Sequence, residues 1–205
     1  MLKNCAMSGS AISPSAWVER FLPLIKSGGL VLDLAAGTGR HVRLLRSRGF
    51  AVCAVDRDIA RLRPLAGPKC EITEIDLEAG APWPLAQGYD GIVVTNYLHR
   101  PLLAEIGRAL APGGVVIYET FAQGNERIGR PSNPNFLLRP GELLAAFAIL
   151  TVVAFEQGEV SMPRPAVIQR IAAVFGALGR LPPGSGWDGG TPEEQSKDCR
   201  TQPKS

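Results

Sequence analysis

The stretch Val31-Leu32-Asp33-Leu34-Ala35-Ala36-Gly37-Thr38-Gly39-Arg40 runs a short apolar segment into a Gly-x-Gly turn and then into a basic, amphipathic stretch. Small residues at Ala35, Ala36, Gly37 and Gly39 let backbone come close to a ligand, and glycine accepts the unusual dihedrals that such a turn demands. The free N–H groups at the start of a following helix suit a ligand's carboxylate or phosphate. Asp56 closes the next apolar run, 17 residues past Gly39, where a carboxylate can accept both hydroxyls of a ribose. Taken singly, each has an ordinary reading: a plain tight turn, and a capping aspartate. Together they suggest a site for a nucleoside-bearing ligand.

The type of nucleotide follows from the next small position. A dinucleotide fingerprint, G-x-G-x-x-G/A, needs a small residue there so that helix and strand pack closely. Gly37-Thr38-Gly39-Arg40-His41-Val42 places valine at that point, which counts against NAD or FAD. Farther along, His99 follows Asn96 by three residues and is the candidate general base, since its ordinary pKa of about 6.5 suits proton transfer near neutrality. A structural histidine heading the next helix is the alternative. Tyr97 is a candidate wall of an acceptor pocket or a packed loop aromatic. The polar segment Gln123–Arg139 offers Arg127, Arg130 and Arg139 for charge-assisted bonds to an oxyanion or carboxylate, against solvated surface arginines. His41 is expected to pack or face solvent, and Arg40, Arg43 and Arg46 to form a solvated basic face.

These residues need elements to hold them. From Gly29 onward, short apolar runs alternate with amphipathic stretches, the βαβ signature of a mostly parallel sheet. Strands are expected at Leu30–Leu34, Ala51–Val55, Glu71–Ile75, Gly91–Thr95, Val115–Thr120, Ile149–Glu156 and Ala166–Ala173. Helices are expected over Arg40–Ser47, from near Asp58, over Pro101–Leu110 and over Gly141–Phe147. Runs such as Ile92-Val93-Val94 and Val115-Val116-Ile117 are continuously apolar, as parallel strands buried on both faces are. Ahead of the sheet, Trp17, Phe21, Leu22 and Ile25 recur at near-helical spacing up to a break at Pro23.

The whole chain has 205 residues and a net charge of +3, which fits one main domain and gives nucleic acid little electrostatic purchase. Three segments are expected: a leader and helix over 1–28, the main domain over 29–178, and a Pro/Gly/polar tail over 179–205 that is expected to be disordered. Cys5, Cys53, Cys70 and Cys199 are scattered without a C-x-x-C pair, which argues against a metal site or a disulfide framework. A reducing, cytoplasmic setting is expected. No apolar run reaches the roughly 18 residues that span a bilayer, and no membrane partner is expected.

From about Gly29 to Phe175 the chain resembles the class I S-adenosylmethionine-dependent methyltransferases. The family's acidic-x-Gly-x-Gly-x-Gly motif is matched by Asp33-x-Ala35-x-Gly37-x-Gly39, with Ala35 departing from the first glycine. The resemblance implies a Rossmann-like α/β three-layer sandwich, its mostly parallel seven-stranded sheet ending in an antiparallel last strand. It implies S-adenosylmethionine as cofactor, with Asp33 near the amino group, Gly37 and Gly39 clearing space, and Asp56 on the ribose beside Arg57. It further implies Asp76 and Leu77 at the adenine, and Asn96 where methionine moiety and acceptor meet. Trp83-Pro84-Leu85, Ala111-Pro112-Gly113-Gly114 and Tyr118-Glu119-Thr120-Phe121 look most similar to the tellurite-resistance-like, small-molecule branch. Three alternatives stay open: an RNA or protein methyltransferase, a non-catalytic cofactor-binding protein, and an NAD(P)-dependent oxidoreductase.

Overall fold

The apolar runs become seven strands, each satisfying its backbone groups on a neighbour, in a computed structural model that describes residues 13–80 and 83–177. The leader over 1–12 and the expected tail from 179 onward lie outside the described residues. In chain order the elements are α1 (Ala16–Phe21), β1 (Leu30–Leu34), α2 (Arg40–Ser47), β2 (Ala51–Asp56), β3 (Cys70–Glu74) and β4 (Tyr89–Thr95). There follow α3 (Leu103–Arg108), β5 (Leu110–Phe121), α4 (Glu142–Ala146), β6 (Thr151–Val160) and β7 (Ala166–Val174). The sheet order is β3-β2-β1-β4-β5-β7-β6. β1 to β5 are parallel, and β7 runs antiparallel to both β5 and β6. This is the Rossmann-like α/β architecture that the resemblance implied.

Strand side chains alternate between the faces, and each face carries its own core. Val31, Val93 and Ile117 pack with Trp17, Phe21, Val42 and Leu45 on the side of α1 and α2. Leu32, Leu34, Ile92 and Tyr118 pack with Ile106 and Phe147 on the side of α3 and α4. With helices over both faces, the central strands β1 and β4 are mostly apolar and buried. The chain reverses direction across the sheet between β1 and β4, and such a switch point leaves a crevice at the carboxyl ends of the strands.

Several elements differ from the sequence-based expectation, for local reasons. No helix starts at Asp58. The Asp56 carboxylate accepts from the Asp58 N–H at 3.0 Å and Asp58 from the Ala60 N–H at 3.0 Å, so side chains compete with helical bonding. Only a 3-10 turn follows, Arg63–Leu65, with proline near its start. The helix expected over Pro101–Leu110 divides into a 3-10 turn, Arg100–Leu102, and α3. β5 begins at Leu110, and Ala111–Gly114 bulge out between the Tyr89–Leu110 and Gly91–Val115 pairs. β6 starts two residues later than expected and reaches Val160. The polar segment after β5 contains two 3-10 turns, Asn125–Arg127 and Pro134–Phe136.

α1 has six residues, too few to hold together alone, and is fixed by its cap and its packing. Ser15 Oγ accepts from the N–H groups of Trp17 and Val18. The Trp17 indole donates to the Ile171 carbonyl at 3.3 Å, and the Arg170 guanidinium lies 4.6 Å from its ring centre. Among the described residues no helix is long and apolar enough to cross a membrane.

Candidate active site

β1 delivers its chain to the switch point through a turn that needs left-handed backbone three times. Ala35, Gly37 and Gly39 have φ of +56°, +56° and +75°. The two glycines serve different ends. A Cβ on Gly37 would meet nothing within 4 Å, whereas one on Gly39 would lie 2.6 Å from Leu65 Cδ1 and 2.9 Å from Leu62 Cδ2. Gly37 therefore keeps the crevice open, and Gly39 lets the turn pack against the segment after β2. Asp56, at the end of β2, accepts from the Gly37 N–H at 2.7 Å, which ties the first two strand ends together.

Asp33 lies beneath this turn, 1% exposed, and its Oδ2 has no hydrogen-bond partner. Burial pushes its pKa up to about 7, against a lowering pull from Arg40. Arg40 is not part of a solvated stripe as the sequence suggested; it is half-buried, while Arg43 and Arg46 are exposed. Its guanidinium donates to Thr95 Oγ1 at 3.3 Å and to the Ser13 carbonyl at 3.4 Å, in the field of the Glu119 and Asp33 carboxylates. His41 is buried as well. Its Nε2 accepts from the Ser15 N–H at 3.1 Å, which leaves the ring proton on Nδ1, 3.4 Å from Thr95 Oγ1. Burial, then the Arg40 charge, lowers its pKa to about 3.

Two cavities open at the strand ends. The first, of about 260 Å³, is walled by Ala35, by Asp56 and Arg57, and by Ile75, Asp76 and Leu77 after β3. The second, of about 300 Å³, lies at the ends of β4 and β5, walled by Asn96 and Leu98, by Thr120 and Phe121, and by Pro131. Glu78, Tyr97 and Phe136 line both. Asp76 accepts from the Glu78 N–H at 2.9 Å, fixing the bend between them. Asn96 holds φ +56° while its N–H donates to the Glu119 carbonyl at 2.9 Å. The Tyr97 hydroxyl is buried without a partner, and burial first, then Glu78, Asp76 and Asp56, raises its pKa.

The expected site residues thus divide. Ala35, Asp56, Arg57, Asp76, Leu77 and Tyr97 meet at the first cavity, and Asn96 and Tyr97 at the second. Asp33, Gly37 and Gly39 shape the turn without being among the lining residues. His99 is half-buried at the head of the turn Arg100–Leu102 and lines neither cavity. Arg127 and Arg130 are exposed on the segment after β5 and line neither.

Sequence reasoning passed over Phe136 and its support. Phe136 is 44% exposed although it walls both cavities, and Arg100 holds its two neighbours. The Arg100 guanidinium donates to the carbonyls of Asn135 and Leu137 at 2.8 Å each, and to both oxygens of Glu142 at 2.6 and 3.0 Å. A lone aromatic in a polar stretch was the available signal; the matching arginine lies 35 or more residues away.

Residues 13–137 match a family described as methyltransferase domain. A mouse protein named "Probable tRNA methyltransferase 9B" is 29% identical over 140 residues, covering 61% of this chain and 30% of that protein. The malonyl-[acyl-carrier protein] O-methyltransferase of Serratia marcescens is 33% identical over 117 residues, covering 52% of this chain and 45% of the relative. The chain thus spans less than half the length of the curated relatives it matches. A TehB-like SAM-dependent methyltransferase from Corynebacterium glutamicum superimposes with a TM-score of 0.59 at 20% identity, covering 83% of this chain and 91% of that one.

Proposed function

Because the chain belongs to the methyltransferase domain family, of the class I S-adenosylmethionine-dependent kind, we propose that it transfers the cofactor's methyl group to a small molecule seated at the ends of β4 and β5. The observation that carries this reading is the pair of adjoining cavities, one at the ends of β1 to β3 and one at the ends of β4 and β5, with Glu78, Tyr97 and Phe136 common to both. A donor in the first and an acceptor in the second would meet across those three side chains.

The residues fit the cofactor. Asp56 keeps two acceptor oxygens at the crevice and can take ribose hydroxyls beside Arg57. Asp76 and Leu77 offer an acceptor and an apolar wall for the adenine. Asp33 holds a buried carboxylate oxygen without a partner, which the field of a cationic ligand over the turn would favour in its charged form. When bound, S-adenosylmethionine supplies a methyl group on a sulfonium, open to in-line displacement. The protein's part is to orient the acceptor and exclude water. Glu78 is the carboxylate common to both cavities and is placed to receive a proton from an acceptor that must lose one.

A tRNA acceptor is the second reading, favoured by the likeness to the mouse protein. It predicts RNA binding that falls steeply with salt.

Calorimetry on the full chain tests the main reading with S-adenosylmethionine, S-adenosylhomocysteine and NADH. Micromolar binding of both sulfur nucleotides, weakened at least about tenfold by Asp56→Ala, a loss of about 1.4 kcal/mol or more, is the expected result. Binding of NADH with neither sulfur nucleotide would overturn it.

A further inference from the structure

The second cavity has a chemical bias that narrows the acceptor. At about 300 Å³ it sits at the small end of ligand pockets. Three of its walls are aromatic, Tyr97, Phe121 and Phe136, and Leu98 and Pro131 are also apolar. Its polar walls are Asn96, Thr120 and Glu78, and among the described residues that line it none is Lys, Arg or His.

The cations around this cavity do not line it, and Arg57 belongs to the first cavity. The Arg100 guanidinium is taken up by Glu142 and two carbonyls. Arg164 lies 5.5 Å from the Phe121 ring centre and is not a lining residue. Arg127 and Arg130 are exposed and line neither cavity. An anion entering here would leave water for a mostly apolar space whose charged group is another anion, Glu78, and an uncompensated buried charge is costly. A flat, uncharged ring instead replaces water against aromatic walls.

Building on the methyltransferase reading, we infer that the acceptor is a small, uncharged aromatic or heteroaromatic molecule bearing an O–H or N–H, and not an oxyanion or a carboxylate. In the transfer, the acceptor's oxygen or nitrogen lone pair forms the new bond to the methyl carbon. The carbon–sulfur bond breaks and its electron pair stays on sulfur, leaving S-adenosylhomocysteine. The displaced proton passes to the Glu78 carboxylate, which is exposed, and from there to water.

The test uses the full chain saturated with S-adenosylhomocysteine and three matched probe pairs in calorimetry: 4-hydroxyquinoline, indole and 2-naphthol, each beside its ring carboxylate. Tellurite is a further anionic probe. At least one neutral probe is expected to bind ten or more times tighter than its carboxylate, with Glu78→Gln narrowing that ratio several-fold. Glu78 is exposed, so this variant should keep its fold, which an unchanged circular-dichroism spectrum and unfolding midpoint check. Equal or tighter binding of the carboxylates or tellurite would overturn the proposal, as would absence of binding by every neutral probe. Failure of S-adenosylhomocysteine itself to bind would instead strike the methyltransferase reading on which this one rests.

Discussion

Arg100 and Glu142 are joined by two short charge-assisted hydrogen bonds, 2.6 and 3.0 Å, and through this pair the segment carrying Phe136 is anchored to the end of β4. Burial alone would raise the Glu142 pKa, but the bonds from Arg100 and the Arg139 N–H outweigh it and leave the carboxyl below its ordinary value. Arg100 also donates to the carbonyls on either side of Phe136. Arg100→Ala removes all of these at once. It should lower stability by about 2 kcal/mol and raise the acceptor KM about tenfold or more, a loss of about 1.4 kcal/mol or more in binding. The cofactor Kd should move less, since most of its cavity is built on strand ends. Lysine lacks the planar fork that reaches carboxylate and carbonyls together, so Arg100→Lys should rescue little. Denaturant unfolding and steady-state kinetics measure both effects.

Asp33 predicts a conflict between stability and binding. Its folded pKa of about 7 stands above the ordinary 3.8. Between those values the folded state keeps a proton that the unfolded chain has released, so this group makes stability fall as pH rises from about 4 to about 7. Above that window the fold carries a buried charge. Asp33→Asn should therefore stabilise the ligand-free protein at pH 8, by an amount on the order of a few kcal/mol. It should also weaken S-adenosylmethionine at least about tenfold (about 1.4 kcal/mol) and remove the loss of affinity expected for the parent below pH 7. Unfolding curves and calorimetry at pH 6 and pH 8 give both quantities; a destabilised variant with intact binding would defeat the idea.

His41 has the opposite sign. Its folded pKa of about 3 lies below the ordinary 6.5, so the unfolded chain takes up a proton that the folded chain refuses. Stability from this residue is fully present above pH 6.5 and is lost as pH falls toward 3, with a slope approaching about 1.4 kcal/mol per pH unit. His41→Gln keeps an acceptor for the Ser15 N–H and cannot titrate. The difference between parent and variant unfolding free energies, followed from pH 7 to pH 4, isolates the contribution of His41 from that of the carboxylates. A flat difference would refute the assignment.

The sequence was most informative where local chemistry decides structure. The turn after β1, the carboxylate at Asp56 and the apolar strands all follow from residue types at fixed spacing, and β7 was expected to reverse. What it hid depends on distant partners. Phe136 becomes a wall because Arg100 reaches it from another element. Arg40 reaches inward to Thr95, near the Glu119 and Asp33 carboxylates, partners that periodicity along one helix cannot contain. Asp58 failed as a helix start because aspartate side chains bonded to nearby N–H groups. His99 and the arginines of the polar segment have suitable chemistry, but line neither cavity.

The antiparallel β7 also carries the chain back to the sheet margin away from the crevice. Ser13 touches Arg40 at the crevice, whereas Phe175 exchanges backbone bonds with Gly113 and Gly114 at the opposite margin of the sheet. A dye or a surface tether attached at Phe175 would start at the margin away from the crevice. The same attachment beside Ser13 would crowd it.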